Sequence, residues 1–262
     1  MTANELIQIF EAYYPTTKAE SWDNPGLQVG RRSKEVKKIF IALDATDEII
    51  DQAKNWGADM LLTHHPLMIS GIKKVNTDSM TGKKIVEMIQ SDICHYAMHT
   101  NYDVCEMAEE SGKRMKLQKT EILEVTGMNE KTGKPEGFGR VGEVVRPVTL
   151  EEYAKIVKSV FKLDSVKVFG NPDQMIERAA ISPGSGKSMI APALKARVQV
   201  LVTGDIGHHD GIDAVDQGLA IIDAGHYGLE HIFIEQIKSF LETHVKRVEI
   251  KTAEYKNPFQ VI

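Results

Sequence analysis

The chain has 262 residues, 42% hydrophobic and 26% charged, which suits one large globular domain or two of ordinary size. Its formal net charge of −5, with acids and bases interspersed, argues against a nucleic-acid backbone as the main partner, because that partner demands a basic face. Apolar runs fall short of the ~18 residues that span a bilayer, and Met1-Thr2-Ala3-Asn4-Glu5 lacks the basic and apolar regions of a signal peptide. Cys94 and Cys105 form no CxxC pair, so a cytoplasmic protein with free, packed thiols and no membrane partner is expected.

Apolar residues at helical spacing (Leu6, Ile9, Phe10, Tyr13) predict a helix over residues 3–14, ended by Pro15. Ser21-Trp22-Asp23-Asn24-Pro25-Gly26 reads as a loop. Ile39-Phe40-Ile41-Ala42-Leu43 is a short buried strand closed by Asp44; Thr46 caps a helix that runs to about Asn55 and stops at Gly57. Met60-Leu61-Leu62 is the next strand, with His64 and His65 at its carboxyl end, and the strand–helix–strand order predicts parallel pairing. A further short strand, Ile93 to Met98, runs into His99 and Asp103.

Residues 121–142 are rich in Gly, Lys and Glu, with Lys131-Thr132-Gly133-Lys134-Pro135 as a tight turn. Residues 137–144 read as a strand, and Thr149 to Phe161 as a capped amphipathic helix. Ala179-Ala180-Ile181 leads through a Gly-rich turn to a helix around Ser188 to Lys195, and the strand Val198 to Val202 delivers Thr203-Gly204-Asp205. Leu219 to Asp223 is a last short strand before His226 and Glu230; a helix from Glu230 to Leu241 and a strand from Val245 to Ile250 close the chain. Ile41 precedes Leu62 by 21 positions and Ile181 precedes Val202 by the same 21. His99 with Asp103 is then the counterpart of His226 with Glu230. The expectation is an α/β protein of two structurally similar modules with mixed, partly parallel sheets, residues 1–125 and 126–262.

The candidate chemistry lies in His64, His65, His99, Asp103, His226 and Glu230. Side chains of neighbours on an extended segment point to opposite faces, so His64 and His65 suit one ion each, or one ion and one substrate. The carboxyl end of a parallel strand is where α/β proteins place ligands; alone, the dipeptide also fits surface histidines that cap backbone groups. If their segment is helical, His226 and Glu230 share one face at four-residue spacing, and His99 and Asp103 have the same spacing; alone, either pair also fits a solvated surface pair. Imidazoles and carboxylates without thiolates suit Zn, Fe, Mn, Co or Ni as divalent ions. Two such ions roughly 3.5–4 Å apart are the unit of paired-metal hydrolases, in which a bound water ionises near pH ~7 to give a hydroxide nucleophile.

Ser21 to Leu27, Leu61 to Pro66, His99 to Asp103, Thr203-Gly204-Asp205 and Asp223 to Glu230 resemble the motifs of the Nif-three-like proteins, also known as GTP cyclohydrolase 1 type 2 homologues. The resemblance spans Trp22 to Glu230 and implies that the two modules intertwine into one compact unit, that two divalent metal ions bind per chain, and that six chains close into a homohexameric ring. It carries the metal ligands onto His64, His65, Asp103, His226 and Glu230, and sets His99 beside the metals as a supporting residue or a general acid/base. Some members carry an inserted domain between the halves; this chain looks like the short form. His208 and His209 follow Thr203-Gly204-Asp205 as candidate substrate contacts. Gly184-Ser185-Gly186-Lys187-Ser188 ends like a P-loop, but the required first glycine is Ile181, which leaves at most an anion contact at a helix start.

The function implied is a metal-dependent hydrolase acting on a nucleotide or related heterocycle, with GTP ring opening and formate release as the named reaction and His99 shuttling protons. A non-catalytic hexameric metal-binding scaffold with protein partners, and a dinuclear phosphoesterase, are the other readings. Positions left open to substrate favour an enzyme, and ions saturated by protein ligands favour a scaffold.

Overall fold

The computed structural model describes residues 1–129 and 132–262, so Lys131 of the expected turn lies outside the described residues. The chain packs as two units: residues 1–102 with 233–255, and residues 103–232 with 256–262. The first unit opens with α1 (Ala3–Tyr13), which buries Leu6, Ile7 and Phe10 and starts in a capping box in which Thr2 and Glu5 satisfy each other's backbone N–H. β1 (Gly26–Val29), β2 (Lys38–Ala42), α2 (Asp47–Trp56), β3 (Met60–Thr63), α3 (Met80–Gln90), β4 (Cys94–Ala97) and the short α4 (Thr100–Tyr102) follow. Thr46 caps α2 and Gly57, at φ +74°, ends it, as expected.

The second unit begins with a π-helical turn, Asp103–Met107, and continues through α5 (Ala108–Arg114), β5 (Gln118–Met128), β6 (Pro135–Thr149), α6 (Leu150–Phe161), β7 (Lys167–Phe169) and β8 (Met175–Ser185). α7 (Ile190–Lys195), β9 (Val200–Gly204), α8 (His208–Asp216), β10 (Ala220–Asp223) and α9 (His226–Glu230) complete it. Its six-stranded sheet has the order β5-β6-β8-β9-β10-β7. The chain then returns to the first unit with α10 (Ile232–His244) and β11 (Glu249–Thr252), which pairs in parallel with β2 and gives a five-stranded sheet, β1-β4-β3-β2-β11. Both sheets are mixed. No helix among the described residues is long and apolar enough to cross a membrane.

The repeated spacing is a register. Ile41 pairs with Leu62 across β2 and β3, and Ile181 pairs with Val202 across β8 and β9, both in parallel. The strand orders β1-β4-β3-β2 and β7-β10-β9-β8 then match in direction as well: antiparallel, parallel, parallel. Each is preceded by a helix capped by a threonine, Thr2 for α1 and Thr149 for α6. β3, β4, β9 and β10 are buried throughout, which is why they read as unbroken apolar runs and not as alternation.

Packing divides the chain elsewhere than at the expected boundary between residues 125 and 126. β5 forms a hairpin with β6 and so belongs with the second unit, while α10 and β11 belong with the first. Phe240 of α10 packs edge-on against Tyr13, their centroids 5.1 Å apart, and Phe233 does the same against Tyr102 at 5.0 Å. The segment that trails the first repeat is held in the second unit: Glu109 pairs with Arg140 of β6, and Gly112 lies against the same side chain.

A buried histidine joins the middle of the first sheet. The Thr63 hydroxyl donates to the carbonyl of His65 at 2.7 Å, so its other contact, 2.8 Å to Nε2 of His95, is one in which the imidazole donates. Among the described residues Nδ1 of His95 meets no hydrogen-bond partner, and burial pushes this imidazole down from 6.5 to about 3. A depressed histidine stabilises the fold fully above its unfolded value and loses that contribution as pH falls from about 6.5 toward about 3. Urea unfolding at stepped pH should therefore show acid destabilisation of up to ~1.4 kcal/mol per pH unit from this group. A His95→Gln variant, which retains a donor for Thr63, should show a shallower slope than the native chain; equal slopes would remove His95 from the account.

Candidate metal centre

In the first unit, strand alternation ends at Thr63, the last residue of β3. His64 and His65 lie beyond it, and their rings sit 4.9 Å apart at 47° instead of on opposite faces. His64 is fully buried, packed against the rings of Phe233 at 5.2 Å and Tyr102 at 6.0 Å. Nδ1 of His64 is 2.8 Å from the carbonyl oxygen of Met98, Nδ1 of His65 is 2.7 Å from Oδ1 of Asp44, and Nδ1 of His99 is 2.8 Å from Oδ1 of Asp23. These oxygens only accept, so Nδ1 carries the proton in each ring and the lone pair is on Nε2. One ligating atom from each of His64, His65 and His99 lies within 4.8 Å of the other two.

Asp23 is the firmest of these anchors. Its side chain is buried, which by itself raises a carboxyl pKa. Hydrogen bonds from His99, from the backbone and hydroxyl of Thr100 and from the Asn24 N–H outweigh burial and hold it down at about 2. The carboxylate beside His99 therefore stays charged at neutral pH.

In the second unit, β9 ends at Gly204, whose bare Cα lets the chain of His226 approach; a Cβ there would lie 2.5 Å from the His226 nitrogen. Asp205 follows in left-handed backbone, φ +57°, and its Oδ2 sits 2.8 Å from Nδ1 of His226. Nε2 of His226 is 3.0 Å from Oε2 of Glu230, one turn along α9 on the same face, as the four-residue spacing predicts. A nitrogen and a carboxylate oxygen this close either share a proton or share a cation. Buried Asp223 fixes both flanks: its carboxylate accepts from the backbone of Ile206 at 3.2 Å and of Gly225 at 3.0 Å, and Lys167 pairs with it at 2.6 Å. Gly184, at φ +83°, completes the cradle, since a Cβ there would lie 2.6 Å from Oε1 of Glu230.

In each unit separately, imidazoles held at Nδ1 by oxygen, with a carboxylate 3.0 Å from the His226 ring in the second and no thiolate in either group, suit borderline divalent ions such as zinc or iron. His64, His65 and His99 are thus one candidate ligand group, in the first unit, and His226 with Glu230 is another, in the second. Asp103 is half-buried at the start of the π-helical turn that opens the second unit, an element type that recurs at functional sites. His208 and His209 are exposed on the first turn of α8 and pack on each other at 5.1 Å. The anion contact sought at Gly186-Lys187-Ser188 is not built: Lys187 pairs with Asp210 at 3.0 Å, α7 is only six residues long, and Gly186 serves to clear Thr203.

Asp44 and Asp205 were not singled out as donors' partners by the sequence reading. A signal existed, for Asp44 precedes His65 by 21 positions and Asp205 precedes His226 by 21, close to the offset that sets the parallel registers. An acidic residue just past one strand lies beside a histidine just past its neighbour.

The profile of the family described as Duf34/NIF3 (NGG1p interacting factor 3) matches residues 1–258. A Clostridium perfringens protein named GTP cyclohydrolase 1 type 2 homolog is 34% identical over 273 residues, covering 100% of both chains. One of the same name from Methanocaldococcus jannaschii is 33% identical over 94% of this chain and 96% of its own length. Among solved structures, a Bacillus cereus protein related to NIF3 shares the fold with a TM-score of 0.90 at 24% identity, covering 100% of this chain and 99% of that one. Reduced HcgD from Methanocaldococcus jannaschii superposes with a TM-score of 0.83 at 30% identity, covering 97% and 98%.

Asp44→Asn and Asp205→Asn remove the charge that orients one histidine each and should weaken Zn²⁺ or Mn²⁺ binding ~10–100-fold with little change in folding, as read by competition with a chromogenic chelator. Gly184→Ala should cost more, through both the left-handed backbone and the displaced Glu230 carboxylate, and thermal unfolding with metal analysis checks it. Unaltered affinity in both Asp variants would mean that the pinned rings do not serve a metal.

Proposed function

This chain belongs to the Duf34/NIF3 family, and from that premise we propose that it is a metal-dependent hydrolase acting on a nucleotide or related heterocycle. The observation that supports the reading best is the repeated pinning of imidazoles, His64, His65 and His99 in one unit and His226 in the other, each at Nδ1 and each by an oxygen. In this proposal His64, His65, Asp103, His226 and Glu230 hold two divalent ions.

Divalent ions bound there supply Lewis acidity, activating water and stabilising developing negative charge. The protein's own part is to aim the ligands and to move protons. His99 takes up a proton at Nε2 and returns it to the leaving nitrogen, while anionic Asp23 keeps the ring oriented and stabilises its charged form. The name carried by the relatives points to ring opening of GTP with release of formate as the first reaction to test. The hexameric ring and a cytoplasmic setting belong to the same proposal, and sedimentation of the purified protein checks the former.

The deciding experiment loads the purified protein with Zn²⁺, Mn²⁺ or Fe²⁺ and measures formate and phosphate released from a panel of nucleotides. His65→Ala and Glu230→Ala should each bind metal poorly and lower release by more than the ~100-fold upper range seen for partners that only orient a ligand. Release that persists unchanged in both variants would overturn metal catalysis. Full metal loading with no release from any nucleotide would replace the hydrolase by a metal-binding scaffold.

A further inference from the structure

Trp22 is 57% exposed, although the loop that carries it is tied down on every side. Asp23 accepts from His99 and Thr100; the Glu20 N–H donates to the Thr100 hydroxyl at 3.0 Å, and the Asp23 N–H to the Glu20 carbonyl at 3.0 Å. Asn24 donates its side-chain amide to the Met68 carbonyl at 2.7 Å, and Gln28 binds both the Asn24 carbonyl and the Met68 N–H. The indole meets His99 edge to face, with centroids 5.9 Å apart and planes at 77°. A large apolar ring left mostly in solvent on a pinned loop forgoes part of the ~1.5–3 kcal/mol that burying a large side chain is worth, and this one does so beside three clustered histidines.

We infer that Trp22 is the stacking surface on which a planar nitrogen heterocycle, such as a purine base, lies when its ring is presented to His99. The inference rests on the proposed site and adds to it the residue that recognises the substrate's flat face. Stacking on an aromatic ring is tolerant of base identity, because every base has a π-face, and its strength comes without rearrangement when the ring is already fixed. Selectivity between bases must then come from polar groups at the base edge, whereas Trp22 selects heterocycles over bare phosphates.

The chain has two tryptophans, and Trp56 is packed against Phe40 at 6.3 Å beneath Lys38, so a Trp56→Phe variant reports on Trp22 alone. In that variant of the full-length, metal-loaded protein, acrylamide should quench the emission, and GTP should quench it saturably while inorganic triphosphate does not. By equilibrium dialysis, Trp22→Leu should weaken GTP binding on the order of 10- to 100-fold with native metal content and melting temperature, and Trp22→Tyr should restore most of it. Equal GTP affinity in Trp22→Leu, a Trp22 closed to acrylamide, or absence of any nucleotide binding would overturn the inference. Dialysis scores binding and not turnover, so a protein that binds GTP through Trp22 yet releases no product would retain this inference while losing the hydrolase.

Discussion

The hydrogen bond from an imidazole Nδ1 to an oxygen is the constraint on which the rest of the site depends. A histidine has two nitrogens and a freely turning ring, and a ligand atom is useful only if both ambiguities are removed. Here each ring is held by a group fixed elsewhere in its own unit: a carbonyl just past β4 for His64, carboxylates just past β2 and β9 for His65 and His226, and a buried aspartate on a neighbouring loop for His99. Parallel pairing makes this possible, since it brings several strand ends to one edge of a sheet. The registers of β2 with β3 and of β9 with β10 are therefore as much part of the site as the side chains are.

The electrostatic arrangement follows from the same geometry. Asp23 is buried yet charged because it gathers donors, and the buried Asp223 side chain likewise gathers two backbone N–H groups and the Lys167 ammonium. One carboxylate orients a ring, and the other ties together the two loops that carry Asp205 and His226. Both resist replacement by neutral residues for a physical reason: removing the charge leaves donors that have already given up their water.

Much of this was legible in the residues themselves. The apolar runs around Ile41, Leu62, Ile181 and Val202 announced buried parallel strands, Thr46 and Gly57 marked a helix at both ends, and the His226–Glu230 spacing stated its own geometry. β5 was not legible, because it is exposed along almost all of its length and offers no apolar alternation; only its partner β6 shows what it is. The placing of His64 and His65 on opposite faces assumed that β3 continued past Thr63, and the chain bends away there instead. The roles of Asp44 and Asp205 depend on which strands are neighbours, which is a property of the sheet and not of either segment.

The exchange of trailing segments has a consequence for how such a chain can be dismantled. Each repeat gives up its last helical stretch to the other unit, residues 103–114 in one direction and α10 in the other. A chain cut between the repeats thus leaves each fragment with a sheet lacking one cover and a helix lacking its floor. Two identical copies of a single repeat would repair both defects by swapping tails, the arrangement of a symmetric swapped dimer. Carried on one chain, the exchange is intramolecular, so its effective concentration is set by the connection between the repeats and not by that of the protein.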